Sequence, residues 1–307
     1  MLPKKSVIFF ALLSLLLISA CTTTQTSSSV QGAYSTCYGD DSQMITAEFA
    51  NFAPVSSESS PYRPGEDIDV EVVLTNKLPS DIDAGKVKVR LTGETAISSI
   101  FSGAQVVSAD KLYSSDPDTC SLETTEVNIG PIVYEGLTTT KISKTVSGSY
   151  CYEEPVVVKG FLYFTADENE IGTNLPSGSN PPSSIQVTQI EQNPVNVDPD
   201  KDGELRFKIY LENIGTGTVV PDLDSCFEFR EAGYREEFDI NVDAPYSVDC
   251  PPTGVALSRD ERADVVTCEI TGIDSGNLSP DPVEITITLS GFAYEDQIPS
   301  TTIWLEP

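Results

Sequence analysis

The sequence predicts an all-β protein built from two tandem antiparallel β-sandwiches. Short segments in which every second residue is apolar dominate the chain, as in 67–76, where acidic residues alternate with aliphatic ones. The pattern recurs in 203–213 at a constant offset of 137 residues, from Ile68 to Leu205. No amphipathic helical pattern of convincing length interrupts these segments. We therefore interpret the chain as a duplicated β-domain.

The first residues have the features of an export signal. Lysines stand at 4 and 5, an apolar run covers 6–17, and small residues at 19 and 20 precede Cys21. This arrangement resembles a lipoprotein signal, which implies cleavage before Cys21 and a lipid on its sulfur. The apolar run is shorter than the roughly 20 residues that span a bilayer. An ordinary secretory signal and an uncleaved anchor are the alternatives.

The remaining chain divides by composition. A Ser/Thr-rich stretch after Cys21 has nothing with which to build a core and reads as a tether. Proline, glycine and serine dominate a later stretch, which predicts a linker that buries nothing. The predicted order is signal peptide, tether, first sandwich, linker and second sandwich, at residues 1–20, 21–43, 44–168, 169–184 and 185–307.

Charge and composition exclude several functions. The formal net charge is −29, and the two lysines of the leader leave with it. Nucleic-acid binding needs Lys and Arg to neutralise phosphates, so we expect none. The chain has no histidine, which removes the commonest acid/base residue and the commonest transition-metal ligand. No glycine-rich phosphate loop or nucleophile elbow is present, and we predict that the protein is not an enzyme and has no cofactor other than a candidate calcium ion.

Six cysteines besides Cys21 form an even set, which in an exported chain predicts disulfides. No pair has the CxxC spacing of a redox or zinc site. The preferred pairings are Cys250 with Cys268 and Cys120 with Cys151. With three cysteines in each half, complete pairing needs at least one bridge between the halves. The candidates are Cys37, Cys120, Cys151, Cys226, Cys250 and Cys268.

A family resemblance covers about 30 residues of the second half. Gly203-Glu204, the alternating strand that follows, and the stretch from Asn213 to Gly217 resemble immunoglobulin-like domains of the cell-adhesion-related (CARDB-like) kind in bacteria and archaea. In the first half Asn76 is followed by Lys77-Leu78, without the glycine turn. The resemblance implies two tandem immunoglobulin-like sandwiches on a cell surface, used as spacers or adhesive modules, and it implies no catalytic residues.

Acidic residues at alternating positions before Gly203 match the start of a calcium loop. A full loop needs a bidentate glutamate at its twelfth position, where Ile209 stands, so a plain Asp/Gly turn is the preferred interpretation. The candidate calcium ligands are Asp198, Asp200 and Asp202, with Asp222 and Asp224 as additional candidates.

Two weaker signals concern modification and sugar binding. Asn277-Leu278-Ser279 is a glycosylation sequon, although Pro280 follows it. Asp274-Ser275-Gly276 matches half of an aspartic-protease site and is interpreted as a turn, because that chemistry needs two such aspartates. The 12 tyrosines and Trp304 include candidates for a glycan platform, but aromatic residues in strands are more often core or cross-strand partners.

These observations together predict a non-catalytic lipoprotein on the extracellular face of the cell envelope, held by its lipid. We expect a structural, adhesive or protein-interaction role. The alternatives are an accessory protein that binds a glycan or a metal ion, and a subunit of a surface filament whose open sheet edge is completed by the next subunit.

Overall fold

The computed structural model describes residues 43–307 except 55, 79, 93–100, 103–105, 117–118, 120, 137, 154, 198–201, 229–237, 252–256 and 258–262. The predicted signal peptide and nearly all of the predicted tether lie outside this part. Within it the regular structure is β-strand, and helical structure is limited to the short 3-10 turns Glu168–Glu170 and Ser275–Asn277. None of the described helices is long and apolar enough to cross a membrane.

Eighteen strands are described. In the first half they are β1 Ile45–Phe49, β2 Asp67–Ile68, β3 Glu71–Asn76, β4 Val87–Thr92, β5 Phe101–Ser102, β6 Val106–Ser108, β7 Glu123–Asn128, β8 Ile132–Tyr134, β9 Ile142–Glu153 and β10 Val156–Phe164. In the second half they are β11 Ile185–Gln192, β12 Gly203–Asn213, β13 Thr218–Val220, β14 Asp239–Asp243, β15 Val248–Asp249, β16 Ala263–Ile273, β17 Ser279–Ser290 and β18 Ala293–Leu305.

These strands form several antiparallel sheets that pack in a sandwich-like manner. The sheet orders are β1-β3-β7, β2-β8-β5, β13-β18-β9-β4-β6, β11-β12-β16-β15 and β10-β17-β14. Apolar side chains of both halves meet in one continuous core cluster. The alternation of buried and more exposed residues is confirmed in β3 and β12. The stretch 67–76, predicted as one strand, is divided, because Asp67–Ile68 pairs with β8 in another sheet.

The duplication is visible in the topology. The order β1-β3-β7 in the first half matches β11-β12-β16 in the second, and the central strands end at Asn76 and Asn213, both fully buried. Each asparagine oxygen accepts the N–H two residues on, at 2.9 Å from Leu78 and 3.1 Å from Gly215. Each amide nitrogen donates to the carbonyl four residues on, at 2.9 and 3.1 Å. The two copies therefore share this turn although only one has glycines.

Strand pairing crosses the predicted boundary between the halves. β9 is followed closely by β10, and β17 by β18, and the two pairs run antiparallel to each other in nearly continuous register. Glu153 pairs with Ala293 and Val156 with Leu289. β9 and β18 thus belong to the sheet that carries β4, while β10 and β17 belong to the sheet that carries β14. Each half contributes a long strand to the other, so the halves share their sheets.

The segment 169–184 is more than a linker, which corrects the expectation that it buries nothing. Asn174, Ser183 and Ser184 are buried. The backbone oxygen of Asn174 accepts the Phe161 N–H at 2.6 Å, and its side-chain nitrogen donates to the Phe161 carbonyl at 2.9 Å. Short polar side chains can be buried here because each finds a hydrogen-bond partner.

Candidate interaction site

The β1 edge of the sheet β1-β3-β7 lies beside β18 without pairing to it. The Lys77 N–H donates to the Met44 carbonyl at 2.8 Å, which fixes the even-numbered residues of β1 as those that bond to β3. The backbone groups of Ile45, Ala47 and Phe49 therefore point away from β3. No hydrogen bond within the described part of the chain engages these outward groups of Ala47 and Phe49.

A seam separates this edge of β1 from β18. The Tyr150 hydroxyl crosses it at one end, donating to the Ile45 carbonyl at 3.0 Å. Beyond that contact the seam widens into a cavity of about 420 Å³, lined by Ala47 and Glu48 on one side and by Gln297 and Pro299 on the other. Cavities of roughly 300–1,000 Å³ are typical of ligand sites.

A second cavity of about 500 Å³ lies on the outer face of the five-stranded sheet and meets the first at β18. Thr216, Gln297 and Pro299 line both. Among the described residues that line the two cavities, four are acidic and none is Lys or Arg. The acidic residues are Glu48, Glu228, Glu295 and Asp296.

Asp296 is a buried carboxylate at the meeting point, only 4% exposed. Thr216 Oγ1 lies 3.0 Å from both of its oxygens. Gln43 Nε2 donates to Oδ2 at 2.6 Å, and the backbone N–H of Gln297 donates to Oδ1 at 2.8 Å. These hydrogen bonds offset the cost of burying the charge and satisfy the outward N–H of β18 at this point. Tyr294 and Ile298, two residues to either side, are buried apolar side chains. The sequence signal for the site was therefore an aspartate at a position where the alternation of this strand predicts an apolar residue.

A loop from the second half closes over the outer face of the same sheet; we call residues 221–228 the strap. Cys226 forms a disulfide with Cys151 of β9. The next residue, Phe227, has a φ of 66°, its N–H donates to Glu295 Oε2 at 2.9 Å, and its carbonyl accepts from Arg90 Nη1 at 3.0 Å. The Arg90 guanidinium also lies 4.7 Å from the Phe227 ring centroid. These contacts hold the left-handed conformation in place.

Hydrogen bonds to charged side chains fix the first residues of the strap. Lys88 Nζ donates to the Leu223 carbonyl at 2.7 Å and to Asp224 Oδ1 at 3.0 Å. Asp222 accepts the Ser225 N–H at 2.7 Å, and this hydrogen bond is the main cause that lowers the pKa of the Asp222 carboxyl below its ordinary value. The strap is thus bound to three strands of the sheet, β4, β9 and β18.

In the sheet β10-β17-β14, side chains cap most of the edge formed by β10. The Tyr163 N–H donates to Gln192 Oε1 at 2.9 Å, and Gln192 Nε2 donates back to the Tyr163 carbonyl at 2.8 Å. Asn174 does the same for Phe161, as described above. Backbone N–H groups alternate in direction along a strand. The N–H of Val157, a residue that is 51% exposed, therefore also points out from this edge.

The disulfides partly confirm the predicted pairing. Cys250 and Cys268 are bridged, as predicted; β15 pairs with β16 in the register that places them opposite each other. The predicted bridge between Cys120 and Cys151 is wrong, because Cys151 faces the strap and is bonded to Cys226. A bridge between the halves is therefore present. Cys37 and Cys120, like Cys21, lie outside the described residues.

Those calcium candidates that the structure describes are not brought together. Asp198 and Asp200 lie outside the described residues, and Asp202 is exposed directly before β12. Asp222 and Asp224 lie in the strap, near the other end of that 11-residue strand, roughly 30 Å away at about 3.3 Å per residue. The described residues include no group of three or more His, Cys, Asp or Glu that could hold a metal ion.

The modification and aromatic candidates have clear positions. Asn277 is exposed in a short 3-10 turn. Asp274 accepts the Gly276 N–H at 2.8 Å, which supports its interpretation as a turn residue. Five tyrosines are buried and therefore unavailable for stacking on a sugar: Tyr134, Tyr150, Tyr152, Tyr163 and Tyr294.

The comparisons with known proteins add no family. No protein-family model matches the chain, and no curated protein sequence is significantly similar to it. What can be said from the molecule itself is that it is a mostly β-strand protein with several antiparallel sheets and two described disulfides. Disulfides are typical of an extracellular or otherwise oxidising environment.

Proposed function

We propose that this protein is a non-catalytic, lipid-anchored surface protein, bacterial or archaeal, whose two immunoglobulin-like, CARDB-like sandwiches form a stiff body that presents an interaction surface. The lipid on Cys21 holds it to the outer side of the membrane, and the tether lifts the body away from the headgroups. The acidic body repels anionic lipid, which favours this position.

The observation that carries the proposal is the sharing of strands between the halves. β9 and β10 of the first half pair with β18 and β17 of the second half. The Cys151–Cys226 bridge also links the strap of the second half to β9 of the first. Two domains joined only by a linker would move independently. Shared sheets and a covalent bond between the halves favour a rigid body, which holds its interaction surface at a fixed position and bears force, as a spacer or an adhesin must.

The anchor is tested by substitution. We expect Cys21→Ser to move the protein from the membrane fraction to the soluble fraction with its unfolding temperature unchanged, while the neighbouring Thr22→Ser stays with the membrane. Retention of the Cys21→Ser protein in the membrane would contradict the lipid anchor.

The stiffness is tested by a distance measurement. Spin labels on genetically encoded non-cysteine residues at Asp69 and Thr271, both exposed and in different halves, should give one narrow distance distribution by pulsed electron resonance. A broad distribution like that of linked, independent domains would contradict the rigid spacer. Two labels within one half, at Asp69 and Lys141, serve as the control for label mobility.

A further inference from the structure

We propose that the side chains of Gln43 and Thr216 join in a covalent ester cross-link, formed with the buried carboxylate of Asp296 as the base. Gln43 lies just before β1 in the first half, and Thr216 lies in the turn between β12 and β13 of the second. The contacts in the structure are those of the chain before this bond forms. The inference goes beyond the spacer role proposed above, and its chemistry does not depend on the lipid anchor.

One carboxylate holds both reacting groups. Asp296 is 4% exposed, and both side chains donate hydrogen bonds to it. The Thr216 hydroxyl lies 3.0 Å from each carboxylate oxygen, and Gln43 Nε2 lies 2.6 Å from Oδ2. A general base must lie within about 2.6–3.2 Å of the group whose proton it takes. The Oδ2 atom is therefore within reach of the attacking hydroxyl and of the nitrogen that must leave.

Neighbouring contacts hold the two reacting side chains in place. Gly217, directly after Thr216, packs so closely on β18 that a Cβ there would lie 2.2 Å from the Glu295 carbonyl oxygen. On the first-half side, the Met44 carbonyl accepts the Lys77 N–H at 2.8 Å. Groups fixed in this way react as if at a very high concentration, which favours an acyl transfer that is slow between free molecules.

The step is an acyl transfer that releases one ammonia. Thr216 Oγ1 attacks the side-chain carbonyl carbon of Gln43, Cδ, while the Asp296 carboxylate takes the hydroxyl proton. The Cδ–Nε2 bond then breaks, and the carboxylate passes that proton to the departing nitrogen. An Oγ1–Cδ ester bond replaces the Cδ–Nε2 amide bond, and Asp296 returns to its starting state. No oxidant or other co-reactant takes part.

The site gives the product a way out. Gln43 and Thr216 both line the cavity of about 420 Å³, and Thr216 is exposed. Ammonia therefore leaves to solvent, and its dilution opposes the reverse reaction. Water that attacked the same carbonyl would instead convert Gln43 to glutamate, and the test below distinguishes these two products.

The position of the cross-link suits a tethered protein. β1 is at the edge of its sheet and pairs there with β3 through hydrogen bonds. In the proposed anchored protein, residues 22–42 connect Cys21 to Gln43, so a pull on the anchor reaches the body at Gln43. An ester to Thr216 passes that pull to the second half instead of peeling β1 from β3. This consequence rests on the proposed function, whereas the bond itself does not.

The test is the intact mass of the detergent-solubilised full chain after reduction of its disulfides. Thr216→Val keeps the shape of the side chain but has no hydroxyl. Its mass should therefore exceed that of the unsubstituted chain by one ammonia beyond the difference between the two residues. Asp296→Asn, which removes the base, should show the same excess, whereas Thr216→Ser should not. The matched control is Thr218→Val, which removes another hydroxyl from the lining of the second cavity and should still lose ammonia.

Peptide mapping locates the bond in the unsubstituted chain and needs no variant to fold. After reduction and proteolysis we expect one cross-linked pair of peptides, which contain Gln43 and Thr216. Mild alkali hydrolyses an ester and should separate the pair, leaving a glutamate in place of Gln43. An amide cross-link would survive this treatment.

Three results would each overturn the inference: no loss of ammonia from the unsubstituted chain, a loss that persists in Thr216→Val, or conversion of Gln43 to glutamate without a linked pair of peptides. A linked pair that resists mild alkali would also overturn it. None of these results bears on membrane release of the Cys21→Ser protein, so failure of the anchor and failure of the cross-link are distinguishable.

Discussion

Replacing Asn213 by alanine should destabilise the fold more than any surface change, and the structure gives the size of the effect. Its side chain is fully buried. It accepts from the Gly215 N–H at 3.1 Å and from the Tyr294 hydroxyl at 3.0 Å, and it donates to the Gly217 carbonyl at 3.1 Å. Alanine leaves these three polar groups without that partner. At about 1 kcal/mol for each hydrogen bond lost, the loss is about 3 kcal/mol.

The assay is urea unfolding at equilibrium, followed by tyrosine fluorescence or circular dichroism. A loss of about 3 kcal/mol is a large share of the roughly 5–15 kcal/mol of a typical domain. The control is Asn241→Ala, an exposed asparagine on β14, which should change the free energy of unfolding by less than about 0.5 kcal/mol. A loss below about 1 kcal/mol for Asn213→Ala would show that water replaces the side chain and that the turn does not depend on it.

The other predictions concern covalent bonds and acid. Substituting both Cys151 and Cys226 by serine should lower the free energy of unfolding by about 2–5 kcal/mol, measured by urea unfolding; no loss would mean that the strap is held by its polar contacts alone. Of the six candidate cysteines only Cys37 and Cys120 remain without an assigned bridge, and non-reducing peptide mapping should recover them linked; free thiols before reduction would contradict this. The pKa of Asp222 is lowered in the folded state, chiefly by a backbone hydrogen bond, so its contribution is present above the unfolded-state pKa and is lost as pH falls through the folded-state pKa. Thermal unfolding should therefore show a smaller difference between the native protein and Asp222→Asn near pH 3 than at pH 7, and an equal difference would contradict the assignment.

Much of the strand content followed from local pattern. Alternation in 203–213 predicted β12, because a strand buried on one face must alternate. Alternation in 67–76 predicted β3, but not that residues 67–68 leave it to pair with β8. The duplication was also readable, since β3 and β12 have the same period and end at Asn76 and Asn213. The Cys250–Cys268 bridge was predictable because its loop is short.

Partner choice between strands was not readable. The sequence before 169 contains every strand that a first sandwich needs, and nothing local says that β10 pairs with β17 or that β9 pairs with β18. The Cys151–Cys226 bridge follows from that exchange and was missed with it. The edge of β1 was missed for a similar reason, because an outward backbone group leaves no mark on its own side chain. Asp296, by contrast, was detectable in the sequence, because it is an acidic residue at a position where the alternation of β18 predicts an apolar one.

The exchange of strands also sets the order in which the molecule can fold. β9 pairs with β18, Ala293–Leu305, which is far from it in sequence. A chain that emerges from its amino end can form β1, β3 and β7 early, but the sheet that contains β9 cannot be completed until β18 has been made. Pairing of strands so distant in sequence is slow to form. A chain that stops at residue 168 lacks the partners of β9 and β10, so it is expected not to form a stable first half.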